Sequence, residues 1–259
     1  MHAADLGVFQ DALGSIMWLE ISHKEFYRTN ELGMAALNNQ LRLFYQANPH
    51  LTSACPLTLA QIKSKDPGYP LLKCKAAQAR HLAGFGLLLA NRHLHGSHEL
   101  PRYAFRAGTR LAEKTDEHLT LQVSLFEGMT EYCWACDSRP FDGTACRAGM
   151  YKFLKSLIAL NSLWRLGLSD QEKKQQPFHM RPKAHLLQHL VEDQLPIYGN
   201  PAECWCYLDE SFVGHVKGVA AASKCPKTLE QRVGEKIILL GGIEAAEEAA
   251  RRRRGQGGL

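Results

Sequence analysis

The sequence is short of long hydrophobic runs. Across its 259 residues the longest apolar stretch, near residues 84–90, falls far below the roughly 18 residues that a membrane-spanning helix needs. No membrane association is therefore expected. A secretory leader is not expected either, because Asp5 and Asp11 sit where such a leader would be apolar. These two absences point to a soluble intracellular protein, nuclear or cytoplasmic. The chain has no G-x-S-x-G, no P-loop and no G-x-G-x-x-G, which argues against serine hydrolases, P-loop NTPases and dinucleotide enzymes. It has no internal repeat, no strand-like alternation longer than a few residues and no clear interdomain linker. It also lacks a real excess of positive charge. The formal +5 falls to +1 once the four arginines of residues 251–254 are set aside. Bulk electrostatics then give no argument for nucleic-acid binding, and any basic surface has to be local.

What is present is the composition of a folded protein. With 45% hydrophobic and 22% charged residues, the chain can bury a sizeable core and is not disordered throughout. Its eight cysteines, in a reducing compartment, are expected to be thiols or metal ligands and not disulfides.

Helical periodicity dominates the pattern. Leu6, Phe9, Leu13, Ile16 and Met17 predict an amphipathic helix ending near Ser22. A second helix is predicted over residues 30–46, with Asn48-Pro49 as its stop. Residues 47–74 hold four prolines (Pro49, Pro56, Pro67 and Pro70) and read as a connector with at most one short helix. Further helices are predicted over residues 75–92, with Leu82, Phe85, Leu88 and Leu89 on one stripe, and over 102–135, 144–166, 182–195, 202–222 and 227–250. Residues 171–177 read as a polar loop. His93, His95 and His98 fall at a polar helix end and are expected at the surface. The tail 251–259 is low in complexity and expected to be disordered.

Three constellations carry possible chemistry. Cys133-Trp134-Ala135-Cys136 offers two thiolates three residues apart, and His185-Leu186-Leu187-Gln188-His189 offers two imidazoles on one helix face. Together they would make a tetrahedral Cys₂His₂ set stapling two distant helices. The same residues equally fit two buried free cysteines and two histidines that merely share a face. Cys204 and Cys206, two apart, suit the core better. The second constellation is Trp205 through Lys217. There Asp209 and Glu210 interrupt an apolar helix, which is costly unless the acid is paired or binds metal, and Lys217 follows seven residues on. A solvated acidic edge is the simpler account of it. The third is His2-Ala3-Ala4-Asp5-Leu6-Gly7, whose Asp5 also suits a helix-capping acid.

In order and spacing these stretches resemble a known family. Met1-His2 through Asp5-Leu6-Gly7 resembles the M-H-x-x-D-L-G segment of CACTA-type and Kyakuja–Dileera–Zisupton-like transposases. Residues 183–190 resemble their K-x-H-x-x-x-H-L element. Trp205 to Lys217 resembles W-x-x-x-x-E-x-x-x-G-x-x-K, and Thr228-Leu229-Glu230-Gln231-Arg232 resembles the block after it. The likeness runs from His2 to about Arg232 and is strongest after Lys183.

The resemblance implies a structural zinc clasp of Cys133, Cys136, His185 and His189. It implies Glu210 as the last catalytic acid with Asp5 as a second candidate, and Arg181, Lys183 and Lys217 near a DNA backbone. Magnesium would enter only in a longer, active form. Departures from the family pattern matter as well. The aspartate that precedes M-H is absent, and so are the strands that carry the family's first acid.

The expected fold is therefore mainly α: a helical insertion plus the C-terminal helices of an RNase-H-like transposase core, without the strand-bearing half. Residues 1–250 would form one helical domain, followed by the basic tail. The expected function is a zinc-binding, DNA-binding, catalytically inactive transposase fragment. A metal-free helical interaction module is the alternative from a different class. A third reading has residues 251–254 acting as a nucleic-acid-binding tail or a nuclear-import signal.

Overall fold

The computed structural model describes residues 4–22, 27–51, 53, 56–63, 68–95, 115–166, 168–173 and 175–204. All of them belong to one compact unit spanning Met1–Trp205. The described residues form a mainly α protein whose nearest approach to a sheet is one isolated bridge between Lys63 and Pro70.

The architecture is built around α1 (Phe9–Ile21), which continues from a π-helical turn at Ala4–Val8. The apolar stripe predicts a helix with one wet face. Instead every residue of α1 except Trp18 is buried, including Gln10, Asp11, Ser15 and Glu20. Around it lie α2 (Asn30–Ala47), α4 (Ala76–His81), α5 (Ala83–His95), α6 (Thr115–Asp137) and α7 (Gly143–Arg165), with the short α3 (Leu59–Ile62) in the connector. The chain then passes through α8 (Asp170–Lys173) and α9 (Lys183–His189). A second π-helical turn (Leu190–Gln194), α10 (Leu195–Tyr198) and a 3-10 turn (Pro201–Cys204) follow.

Local chemistry sets several boundaries. Thr29 caps α2 by accepting from the Leu32 amide at 3.4 Å, and Asn48 closes it ahead of Pro49. Thr58 and Gln61 form a capping box around α3, so the proline-rich connector does hold one short helix. Asp142 accepts from the Thr144 and Ala145 amides at 3.0 and 2.9 Å and starts α7 one residue before the predicted Thr144.

Four expectations need correction. The helix predicted over 75–92 breaks at Leu82 into α4 and α5, which turns Leu88 outward while Leu82, Phe85 and Leu89 stay in the core. The stretch predicted as one helix over 182–195 contains a π-helical turn and runs on to Tyr198. Residues 171–177 are not wholly loop, because α8 occupies their start. His93 is buried, not at the surface. For the helix predicted over 102–135, the structure describes Thr115 onward. Most of the helix predicted over 202–222, the one over 227–250 and the basic tail lie outside the described residues.

The α6–α7 hairpin packs closely because glycines meet at the crossing. A Cβ on Gly149 would lie 2.6 Å from the Tyr132 amide nitrogen and 2.9 Å from the Gly128 carbonyl oxygen. Phe9 of α1 packs against this hairpin, edge-on to Tyr132 at 5.8 Å and to Phe153 at 5.2 Å. Gly149→Ala is therefore expected to cost about 1–3 kcal/mol in urea unfolding, as backbone must move to admit the methyl. Gly84→Ala, whose Cβ meets only the Phe44 ring at 3.7 Å, should be neutral or gain up to about 1 kcal/mol from helix propensity. Equal effects at both sites would refute the tight crossing.

Candidate functional site

The three resemblance-bearing segments within the described residues occupy neighbouring parts of the molecule. The Ala4–Val8 turn packs against α9. Arg181, just before α9, donates to the Gly7 carbonyl at 3.2 Å and to the Asp11 carboxylate at 2.6 Å. At the other end of the same stretch, Asn200 donates to the Cys136 carbonyl at 2.8 Å. The chain from 181 to 200 is thus pinned to the Asp5 turn at its start and to the C-x-x-C helix at its end.

Asp5 is 1% exposed and lies within electrostatic reach of Cys74, Arg80, Tyr132 and Cys133. It is not a capping acid at a wet helix start. Arg80, itself buried, donates to the Cys133 carbonyl and pairs with Asp137, both at 2.8 Å. Burial would weaken the Arg80 charge, but the groups around it, the Asp137 and Asp5 carboxylates among them, outweigh this and hold its pKa above the usual value.

The cysteine pair is buried on α6, and its sulfurs differ. Burial raises the Cys133 thiol well above its usual range. Cys136 is instead lowered, first by its hydrogen-bond contact with Cys146 across the hairpin and further by Arg80 and Tyr132, which together outweigh its burial. The two sulfurs, Cys136 Sγ and Cys146 Sγ, are 3.9 Å apart. Cys146 was not singled out from sequence, and it stands one helix away from the C-x-x-C it touches. Burial pushes the Cys74 thiol up to about 12, and Gln10 offsets this only in part.

His185 and His189 do share a face of α9, and both are exposed. Their Nε2 atoms are 3.0 Å apart, and His189 Nδ1 meets the Asp193 carboxylate at 2.7 Å. The histidines thus offer two converging donors and the cysteines two buried sulfurs. Among the described residues, however, no three or more His, Cys, Asp or Glu side chains are grouped to hold an ion. The residues fit zinc as two half-sites, not as an assembled tetrahedron. Of the DNA-facing candidates, Lys183 is half-buried, while the Arg181 guanidinium is occupied by Asp11 and Gly7. Glu210 and Lys217 lie outside the described residues.

A second polar cluster had no counterpart in the sequence reading. Glu20 on α1 is buried with His93, whose Nε2 lies 2.8 Å from its carboxylate and whose Nδ1 lies 3.4 Å from Gln122. Gln40 and Tyr27 donate to the other Glu20 oxygen at 3.1 and 3.3 Å, and Arg92 approaches it at 3.4 Å. Spacing could not have revealed this pair, since Glu20 and His93 are 73 residues apart.

The two buried acids of α1 titrate in opposite senses. Burial raises Asp11 to about 6 despite the Arg181 pair. For Glu20 burial also acts upward, but the hydrogen bond and charge of His93, with Arg92 and Gln40, outweigh it and hold the acid at about 2. An acid held below its unfolded value stabilises the fold above that value and loses the contribution on acidification. Glu20 should therefore support stability above pH 4.5 and lose this support as pH falls toward about 2. Asp11 has the reverse sign, its contribution fading as pH rises from 3.8 to about 6. Urea unfolding between pH 5 and 2.5 should show Glu20→Gln losing stability less steeply than wild type, by up to about 1.4 kcal/mol per pH unit. Parallel pH curves would refute the Glu20–His93 coupling.

No protein-family model, no curated protein and no solved structure matches the chain. Among the described residues, no helix is long and apolar enough to cross a membrane.

Proposed function

We propose that this chain is a transposase-derived helical domain that binds zinc and DNA and does not cut DNA by itself. The observation that supports it most is the pinning of residues 181–200. The stretch carrying the H-x-x-x-H pair is bonded by Arg181 to the M-H-x-x-D-L-G-like turn and by Asn200 to the C-x-x-C helix. Segments almost the length of the unit apart in sequence, which together make the resemblance, are thereby neighbours.

In this reading Cys133, Cys136, His185 and His189 would supply the zinc ligands, which requires the two half-sites to be drawn together by the ion. Zinc would staple α9 to the end of α6, a role that adds to folding free energy. Lys183 and Lys217 face the DNA backbone, while Arg181 serves the fold. Two-metal phosphoryl transfer requires several carboxylates converging on two ions. Asp5 is buried among Arg80, Tyr132 and cysteines and is not presented to an ion and a substrate phosphate. A helical insertion joined to the C-terminal helices of an RNase-H-like core belongs to the same proposal, as does a nuclear or cytoplasmic location.

A helical interaction module without metal is the second reading. It is favoured by the exposed apolar side chains Trp134, Leu186, Ile197 and Tyr198.

Elemental analysis should find about one zinc per chain, released on replacing Cys133 or His189. Duplex DNA should bind in low salt, and Lys183→Ala should lower the slope of log affinity against log salt by about 0.9. Neither Mg²⁺ nor Mn²⁺ should elicit strand cleavage, and Glu210→Gln should leave that baseline unchanged. Zinc-free protein with no DNA affinity would refute the proposal in favour of the interaction module. Nicking abolished by Glu210→Gln would refute the inactive state.

A further inference from the structure

His185, His189 and Asp193 follow one another at four-residue steps along one exposed face. A carboxylate oxygen can only accept, so the 2.7 Å contact between His189 Nδ1 and Asp193 requires that nitrogen to carry the proton. A neutral imidazole with its proton on Nδ1 presents a lone pair at Nε2. In that form the lone pair would face Nε2 of His185, 3.0 Å away. Two nitrogens bound to one tetrahedral zinc lie about 3.3 Å apart, given zinc–nitrogen distances of about 2.0–2.1 Å. The pair is thus already near the bite of such an ion. Glu192, the other acid on this turn, is engaged by Tyr151 and Gln188, each donating at 3.0 Å.

We propose that Asp193 is the positioning residue of this histidine pair, holding His189 in the tautomer and ring orientation that direct both Nε2 atoms onto one divalent ion of the zinc class. The proposal rests on the reading that His185 and His189 bind zinc, and adds a residue to it. To hold the ion, both Nε2 atoms would have to be free of hydrogen, with His189 keeping its proton on Nδ1 against Asp193 and His185 carrying its own on Nδ1. Imidazole donors favour zinc, nickel or copper over magnesium and calcium. Such outer carboxylates typically matter to metal affinity by one to two orders of magnitude.

The test uses the full chain, stripped with a chelator and titrated with zinc chloride against a chromophoric competitor. Wild type should bind, and His189→Ala should abolish the binding. Asp193→Asn should weaken it by about 10- to 100-fold, with Asp193→Glu recovering most of the loss. The melting temperature and helix content of all metal-free variants should stay alike. If Asp193→Asn binds zinc like wild type while His189→Ala does not, the positioning role is overturned and the zinc reading stands. If wild type takes up no zinc, both fall. If the Asp193→Asn loss comes with lower helix content of the metal-free protein, Asp193 serves the helix and the proposal is overturned.

Discussion

The fold depends on the burial of α1 on every side, and that burial creates a constraint on its polar groups. A polar atom removed from water costs free energy on the order of 1–3 kcal/mol unless it finds a partner. Four residues of α1 have to meet this demand, and each does so with a different part of the chain. Gln10 donates to the Cys74 carbonyl at 2.7 Å, and the Ser15 hydroxyl accepts from the Phe178 amide at 2.8 Å. Asp11 takes Arg181, and Glu20 takes His93. Buried pairs of this kind add little net stability, because desolvation cancels most of the attraction. Breaking one is expensive. The four contacts therefore act as register marks: hydrophobic burial drives the helices onto α1, and the polar partners determine which segment lies where.

The Phe178 contact shows how firmly one such mark is imposed. Phe178 has φ of 53°, the left-handed region that bulky side chains avoid. Its ring is wholly buried and its amide is held by Ser15, so core packing and one hydrogen bond together outweigh the backbone cost. The same turn delivers His179, Met180 and Arg181 toward α9. Asn161 of α7 supports it by accepting from Gln176 and the Met180 amide at 2.9 and 3.3 Å. The route of the chain into the histidine-bearing helix is in this way fixed by α1 and α7.

These facts explain what could be read from sequence and what could not. The helical class, the stop at Asn48-Pro49, the break between the helices of 102–135 and 144–166 and the facing of His185 and His189 all follow from local rules of period, capping and spacing. The central position of α1 does not. Gln10, Asp11 and Ser15 lie off the Leu13–Ile16–Met17 stripe and look like an ordinary wet face, Glu20 falls on the stripe itself, and only their remote partners show how all four are held inside. His93 escapes local rules for the same reason: Arg92 and His95 beside it are exposed, whereas its own partner lies in another helix. Cys146 went unnoticed because the C-x-x-C pattern describes one helix, while the 3.9 Å sulfur contact crosses to the next.

Asp5 marks the boundary between resemblance and physics. A metal-binding acid in phosphoryl transfer has to meet both an ion and a substrate phosphate, which requires an open face. The Asp5 carboxylate instead sits among Arg80, Tyr132, Cys74 and Cys133, and Arg80 is itself tied to the end of α6. In that setting the acid is one of the groups that favour the charge of the buried Arg80, behind Asp137, and a buried charge is tolerated only where such groups exist. Removing Asp5 would take away one of the charges near Arg80, whose ion-pair partner Asp137 is largely exposed. Asp5 therefore supports the corner joining α4, α6 and the first turn, and that corner is also where Asn200 ties the histidine-bearing stretch to Cys136.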